Sequence, residues 1–542
     1  MKRTLYLPGL LLVGVAVGCS SAPSGSSAAA PSSAPGAAPS PTPSNLARIN
    51  PYVIEETDTY TIQRYPKEEY IKIDDRHIKH PILGVKIEFF REDEKYYYVT
   101  VPKFLADEDA LKRATQAPEK PRFRQTEQSE QPGPPLSDFT DLLPPRKPSR
   151  IRLDKVASGL PADGLWRSSF EVADVNGDGI PDIVSPPSRI GGNPVLHIFI
   201  GNGKGGFTRW PLTFTEAGKD KADPGVDYGG VAVGDIDGDG HADVAAASHN
   251  GGLVTFFGDG KGGFTVVRAG LPGREFSAQA IVLLDVTKDG HPDIVAARDV
   301  IETDNTQVVD KQQVRVYVYR NPRAWQFRQD GIVGGFYSNS LHAWDFDGDG
   351  LKDVLTGSHY NGALTLLWKN AGDGSFTPVS FPAIEIYAFH FATAPGTFGQ
   401  ERAPAFADSY YMSTNEPQNA KAGGITVYTF RKGVWERHRI WRKANGKSLQ
   451  YALAMGDLDG DKLDDIVFPD SEERRLRIFF QQADGSFSEA SEKDEPALDS
   501  PGQCVRLADI DGDGRPDIVL SKTVSSTRPD DVGGWDVYLN KR

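Results

Sequence analysis

The stretch Asp235-Ile-Asp-Gly-Asp-Gly-His-Ala-Asp243 decides the fold, because the chain keeps returning to it. It stands earlier as Asp174-Val-Asn-Gly-Asp-Gly-Ile-Pro-Asp182 and later as Asp285-Val-Thr-Lys-Asp-Gly-His-Pro-Asp293. Three further copies are Asp345-Phe-Asp-Gly-Asp-Gly-Leu-Lys-Asp353, Asp457-Leu-Asp-Gly-Asp-Lys-Leu-Asp-Asp465 and Asp509-Ile-Asp-Gly-Asp-Gly-Arg-Pro-Asp517. Each phrase offers oxygen ligands at positions 1, 3, 5 and 9 and a backbone carbonyl at position 7. A hard cation seeking six to eight oxygens at about 2.3–2.6 Å is suited by that set. Glycine at position 6 lets the loop turn sharply enough to aim the oxygens inward.

The expected metal ligands are therefore Asp174, Asn176, Asp178, Ile180 and Asp182 in the first copy, and Asp235, Asp237, Asp239, His241 and Asp243 in the second. The third and fourth give Asp285, Thr287, Asp289, His291 and Asp293, then Asp345, Asp347, Asp349, Leu351 and Asp353. The last two give Asp457, Asp459, Asp461, Leu463 and Asp465, then Asp509, Asp511, Asp513, Arg515 and Asp517. Thr287 with Lys288 weakens the third set, and Lys462 takes the glycine position of the 457–465 copy. The expected cofactor is Ca2+, at up to six sites. An EF-hand would need a bidentate Glu at position 12 and helices on both flanks. Position 12 is instead Ser185, Ala246, Ala296, Thr356, Phe468 and Leu520, and the flanks (Val231-Ala-Val, Ile518-Val-Leu) are strand-like. Each loop should join two β-strands.

Successive first aspartates lie 61, 50, 60, 112 and 52 residues apart. The 112 is two units, one of which has lost its loop. Pro404-Ala-Phe-Ala407 matches the phrase after the other loops, which places the lost ligand positions at Thr397, Gly399, Glu401 and Ala405. Each unit also carries an alternating strand, a glycine turn and an aromatic, as in Leu253-Val-Thr-Phe-Phe-Gly-Asp-Gly-Lys-Gly-Gly-Phe264. A unit then reads strand, metal loop, strand, strand, glycine turn, strand: one four-stranded antiparallel blade. Seven blades predict an all-β, seven-bladed β-propeller. The seventh unit stops at Trp535-Asp-Val-Tyr-Leu539 without a fourth strand, while Ala157-Ser-Gly-Leu-Pro161 echoes Arg268-Ala-Gly-Leu-Pro272. An N-terminal strand should therefore complete the last blade and remove the open edges.

The Asp-x-Asp-Gly-Asp-Gly-x-x-Asp-hydrophobic phrases resemble the VCBS and FG-GAP-like repeats of bacterial surface proteins and of the integrin α-chain propeller, over Ser149–Arg542. The resemblance implies calcium loops on one face of the disc and recognition on the other.

Ahead of the repeats, residues 1–18 read as a secretory leader: Lys2 and Arg3, then an apolar run too short to span a membrane. Ala16-Val-Gly-Cys19 resembles a bacterial lipobox, implying lipidation at Cys19, and Ser20 after it favours the outer membrane, facing either the periplasm or the cell surface. Residues 19–44 are a Ser/Ala/Pro-rich tether. Residues 45–116 form a small, mostly β module, with a hairpin across Glu92-Asp-Glu-Lys95 and a short helix over Asp107–Gln116; residues 117–148 are a Pro-rich linker. The chain has two cysteines; with Cys19 lipidated, Cys504 has no partner, so metal rather than a disulfide is expected to brace the fold.

Removing Lys2 and Arg3 with the leader takes the formal charge from −14 to −16, and six divalent ions would bring it to −4. Much of the acidity is ligand, and no basic stripe for nucleic acid appears. On the face opposite the metal loops, the turns and connections offer His249, His359 and Tyr411 with Trp166, Tyr228 and Tyr337 as candidate ligand-binding residues. Aromatics beside histidines suit stacking on sugar rings or anchoring a protein partner. The expected function is recognition of a protein or polysaccharide of the envelope or extracellular surface. A polysaccharide lyase or hydrolase and an envelope scaffold are the competing readings, although Gly-x-Ser-x-Gly, His-Glu-x-x-His and a phosphate loop are all missing.

Overall fold

The computed structural model describes segments between residues 53 and 102 and most of 143–541, with gaps that include 329–339, 358–366, 380–387, 413–421 and 444–451. The leader, Cys19, the tether and the expected helix at 107–116 lie outside the described residues. The chain separates into two units, residues 1–121 and 122–542.

In the first unit Val53–Glu56, Tyr60–Pro66, Tyr96–Pro102 and Arg91–Glu92 form one antiparallel sheet in that spatial order. The hairpin between the last two turns at Asp93, whose carboxylate accepts the Lys95 and Tyr96 amides at 2.8 Å and the Tyr98 hydroxyl at 2.5 Å. Ile71–Lys72, His77–Lys79 and Lys86–Glu88 make a second, three-stranded sheet.

The second unit is a seven-bladed propeller, with no α-helix among the described residues. Blade 2 is representative: Gly229–Gly234, Asp243–Ser248, Gly252–Gly258 and Gly263–Val267 pair in sequence, each antiparallel to the next. The metal phrase joins the first strand to the second. The first strands of neighbouring blades abut in a closed ring around the axis. Blade 2 comes close to blade 3 there: a Cβ at Gly230 would lie 2.5 Å from the Gln279 carbonyl.

Seven hydrophobic clusters fill the spaces between the blades, one for each neighbouring pair. Strand alternation explains this two-sided burial. In Asp293-Ile-Val-Ala-Ala297, Ile294 and Ala296 pack toward blade 2, while Val295 and Ala297 pack toward blade 4. Each fully buried Val or Ile contributes roughly 1.5–3 kcal/mol.

Closure is as the truncated last repeat predicts. Arg152–Lys155 pairs antiparallel with Gly534–Lys541, with Lys155 opposite Tyr538 and Arg152 opposite Lys541. The Ala157–Pro161 echo follows this strand directly, as Arg268–Pro272 follows the fourth strand of blade 2. Two further strands lay themselves parallel on outer edges: Thr213–Thr215 on blade 2 and Arg146–Lys147 on blade 6. Neither is legible in the repeat pattern.

Blade 5 differs. Its first two strands, Ala388–Phe398 and Ala403–Met412, run straight into a hairpin turn at 399–402 with no nine-residue loop. The positions of the lost ligands, Thr397, Gly399, Glu401 and Ala405, fall in the strand ends and that turn.

Candidate functional site

The six loops share one hydrogen-bond plan, seen in blade 2. The Asp235 carboxylate accepts the amides of Gly238, Asp239 and Gly240 at 2.8, 3.1 and 3.0 Å, which curls the loop around it. Asp239 accepts the His241 amide at 2.9 Å. Asp243 is fully buried and uses both oxygens: one accepts the Ile236 amide and the other the Gly258 amide of the third strand, each at 2.8 Å. The position-9 aspartate does the same in every loop, tying it to its own blade.

Positions 4 and 6 need left-handed backbone, which glycine adopts without strain. Lys288 at position 4 of the third loop and Lys462 at position 6 of the 457–465 loop take it at φ of 60° and 71°. Both departures noted in the sequence thus keep the loop conformation, at a cost of about 1 kcal/mol each.

In blades 2, 4, 6 and 7 three carboxylates bring one oxygen each within 4.8 Å of one another: Asp235, Asp237 and Asp239; Asp345, Asp347 and Asp353; Asp457, Asp459 and Asp465; Asp509, Asp511 and Asp517. Burial, with added repulsion from the acidic neighbours, pushes the position-9 carboxyl up to about 7 at Asp243, 8 at Asp465 and 6 at Asp293 and Asp353, and also upward at Asp182 and Asp517. A buried, crowded carboxylate of this kind calls for a cation. Two position-3 oxygens, Asp237 Oδ1 and Asp511 Oδ1, are buried without a hydrogen-bond partner, as is Thr287 Oγ1 at the same position of the third loop. Oxygen donors turned inward with no partner fit a hard divalent ion. The loops are also tied to one another. Asn540 donates to the carbonyls of Leu458 and Pro516 at 2.7 and 3.1 Å, and His291 Nδ1 lies 2.9 Å from the Ile236 carbonyl.

The FG-GAP-like repeat family matches residues 174–246, 235–296 and 457–520, and these matched segments fold as propeller blades. Those three segments are FG-GAP-like repeats, set within a seven-bladed β-propeller. FG-GAP repeats commonly bind calcium, and the four aspartate clusters could hold metal ions. Nothing among curated proteins matches the sequence. A solved structure, the crystal structure of BBS1N in complex with ARL6DN soaked with lead, is 10% identical, covers 72% of this chain and 98% of that chain, and has a TM-score of 0.43. A likeness that weak says nothing further here.

Away from the metal loops, the FG-GAP propeller has a second candidate region. The turn between the second and third strands of blade 2 and the connections on either side of that blade enclose a groove of about 430 Å3. Asp223, Asp227, Ser248, Arg268 and Arg274 supply its polar lining. Beside it Tyr228 stacks on His249 with centroids 4.6 Å apart, and the Arg189 guanidinium lies 4.8 Å from the Tyr228 ring. Two of the expected ligand-binding residues, Tyr228 and His249, are thus brought together. Tyr228 is itself buried, so His249, half-buried, is the more reachable.

Trp166 corrects its reading. It is buried, donates its indole N–H to the Asp163 carbonyl at 2.8 Å and packs against Trp535 at 5.3 Å, so it belongs to the core between blades 7 and 1. Tyr411 sits half-buried near the end of the second strand of blade 5, away from the blade 2 pair in sequence and in sheet. Tyr337 and His359 lie outside the described residues. Asp227 and Arg274 went unnoticed because the connections that hold them carry no repeat, and Arg268 showed only as the start of the phrase echoed at Ala157–Pro161.

On the axis, at the end away from the metal loops, a smaller cavity of about 50 Å3 is lined by Ser169, Ser340, His342, Thr393, Cys504 and Arg506, among others. Burial and the nearby Arg506 guanidinium hold His342 down at about 4, hence neutral. Cys504 is free and buried, with Arg506 donating to its sulfur at 3.1 Å.

Proposed function

We propose that this chain is a calcium-stabilised recognition module, anchored to the outer membrane by a lipid on Cys19, whose propeller binds an envelope or extracellular protein or polysaccharide. The FG-GAP propeller fold fits a binding role. The observation that carries the finer reading is the division of the disc. Crowded aspartates occupy one face, and the groove beside Tyr228 and His249 opens on the other. A groove of that volume suits one sugar unit or one anchoring side chain. The test is capture from envelope extract and from a polysaccharide panel, with calcium present. His249→Ala together with Arg268→Ala should weaken capture at least tenfold while leaving the melting temperature within a degree or two. Depletion of a polysaccharide rather than its retention would point to catalysis. Capture that survives both substitutions and follows residues 45–116 alone would move recognition off the propeller. Acyl mass on the Cys19 peptide, lost in Cys19→Ser, tests the anchor.

A further inference from the structure

The six loops do not carry equal numbers of carboxylates. Blades 2, 4, 6 and 7 have aspartate at positions 1, 3, 5 and 9, whereas blades 1 and 3 have Asn176 and Thr287 at position 3 and so one carboxylate fewer. The loops with four are the ones that a basic side chain reaches from outside. Arg323, on the turn before the last strand of blade 3, crosses to blade 2 and donates to Asp237 Oδ2 at 2.7 and 2.6 Å. Lys369, on the third strand of blade 4, pairs with Asp347 and lies 3.1 Å from Asp349. Arg150, just before the closing strand, donates to Asp459 at 2.6 Å and Asp461 at 2.8 Å in blade 6. Lys541 pairs with Asp511 and lies 3.3 Å from Asp513 in blade 7, where Arg515 of the loop itself also reaches Asp513.

The same atoms are used each time: Oδ2 of position 3 and Oδ2 of position 5. In blade 1 the neutral Asn176 amide takes the position-5 oxygen, donating to Asp178 Oδ2 at 2.9 Å. Among the described residues no lysine or arginine pairs with Asp174, Asp178, Asp285 or Asp289. Counting the carboxylates at positions 1, 3, 5 and 9 with the basic group that reaches positions 3 and 5 from outside, each ligand set therefore presents the same formal charge of −3 to an arriving ion.

We propose that Arg323, Lys369, Arg150 and Lys541 are built-in counter-cations, each balancing the fourth carboxylate of its loop. They hold the loop folded without metal and set how tightly it takes calcium. The proposal rests on the calcium reading above and adds what regulates those sites. Four carboxylates within a few ångströms repel one another, and a guanidinium or ammonium among them relieves that in the metal-free state. Once a divalent ion is bound the relief is redundant, and the two like charges oppose each other. A group that stabilises the metal-free state more than the bound one must lower the affinity by the same free energy. Two of the four counter-cations come from other elements. Arg323 therefore couples metal in blade 2 to the docking of blade 3, and Arg150 couples metal in blade 6 to the segment that closes the ring.

The test is calcium titration calorimetry on the full chain stripped of metal, paired with melting in chelator. Arg323→Gln and Lys369→Gln should each tighten one site, by about tenfold, a usual size for such coupling. Each should also lower the melt in chelator while changing it little in saturating calcium. Asn176→Asp, which adds a fourth carboxylate to blade 1 with no partner, should do the same. Weakened calcium binding in Arg323→Gln and Lys369→Gln would mean that these groups position the ligands, and would overturn the proposal. Unchanged affinity with an unchanged melt in chelator would overturn it too. If the unsubstituted chain takes up no calcium, the metal reading itself has failed and the proposal falls with it.

Discussion

Blades 5 and 6 stand side by side and solve one problem in two ways. In blade 6 the first strand is only Ala454–Gly456, and the loop after it is held by Asp465, which accepts the Leu458 and Gln481 amides at 3.1 and 2.9 Å. In blade 5 the matching position is Ala405, fully buried, and the bracing is a backbone ladder running from Ala388 opposite Met412 to Phe398 opposite Ala403. Blade 5 even borrows from its neighbour: Thr397 donates its amide to Asp464 at 2.7 Å, and Gly399 donates to the Gln481 side chain at 2.6 Å. A metal loop thus substitutes for several residues of strand, and a strand can be lengthened to replace a metal loop. The difference lies in what each depends on. Blade 5 rests on its own backbone ladder and two bonds to blade 6; blade 6 depends on the buried Asp465 carboxyl that ties its loop to the third strand.

The largest effect expected is from the chain that closes the ring. Deleting Arg150–Leu160 removes the fourth strand of blade 7 and the Arg150 contact on blade 6, so cooperative melting of the propeller should be lost or fall by well over ten degrees. Amide exchange should show blades 6 and 7 opening first and blade 5 last; a melt left untouched would refute the closure. Calcium withdrawal comes next. Native-state binding stabilises by about 2.7 kcal/mol per site at a hundredfold excess over the dissociation constant. Chelator should lower the melt and raise exchange in the loop-bearing blades, while the 388–412 hairpin keeps its protection.

Within single side chains the contrast sharpens. Asp465→Ala strands two buried amides and should cost about 2–4 kcal/mol in urea unfolding even without metal. Glu401→Ala, in the blade 5 turn, breaks an exposed pair with Arg431 and should change stability by less than ~0.5 kcal/mol. The last effect expected is one of pH, at the outer edge of blade 6. Glu495 is buried with neither carboxylate oxygen hydrogen-bonded, and burial followed by repulsion from Glu489 pushes it up to about 7. A carboxyl raised in the folded state favours folding while protonated, so its contribution is full below about 4.5 and disappears as pH rises through about 7. Chelated protein should therefore lose roughly 1 kcal/mol between pH 5 and 8 from this group, after allowance for Arg146 and Arg475 at 3.5 Å. Glu495→Gln should remove that slope.

The blades and their loops were legible because each repeat states them again. Asp243 and Asp465 announce their roles through fixed distance from the first aspartate, and the missing loop of blade 5 shows as a doubled spacing. What the repeats cannot show is anything assembled from their irregular parts. The groove is built from connections of different composition around Asp227 and Arg274. Arg150 meets Asp459 across 309 positions of sequence. Trp166 sits where a connection reaches the face opposite the loops, yet its neighbour is Trp535, brought back by ring closure. An aromatic in a connection is read as exposed only if nothing distant in the chain comes to cover it.

The pairing of Arg152–Lys155 with Gly534–Lys541 also sets an order of events in time. A strand made early must wait, with its edge unsatisfied, until hundreds of later residues have been synthesised and delivered. Contacts of that separation are slow to form, and the open edges meanwhile are templates for other chains. The Arg146–Lys147 strand and Arg150, which dock on blade 6, give the waiting segment a place to rest one blade before its final partner exists.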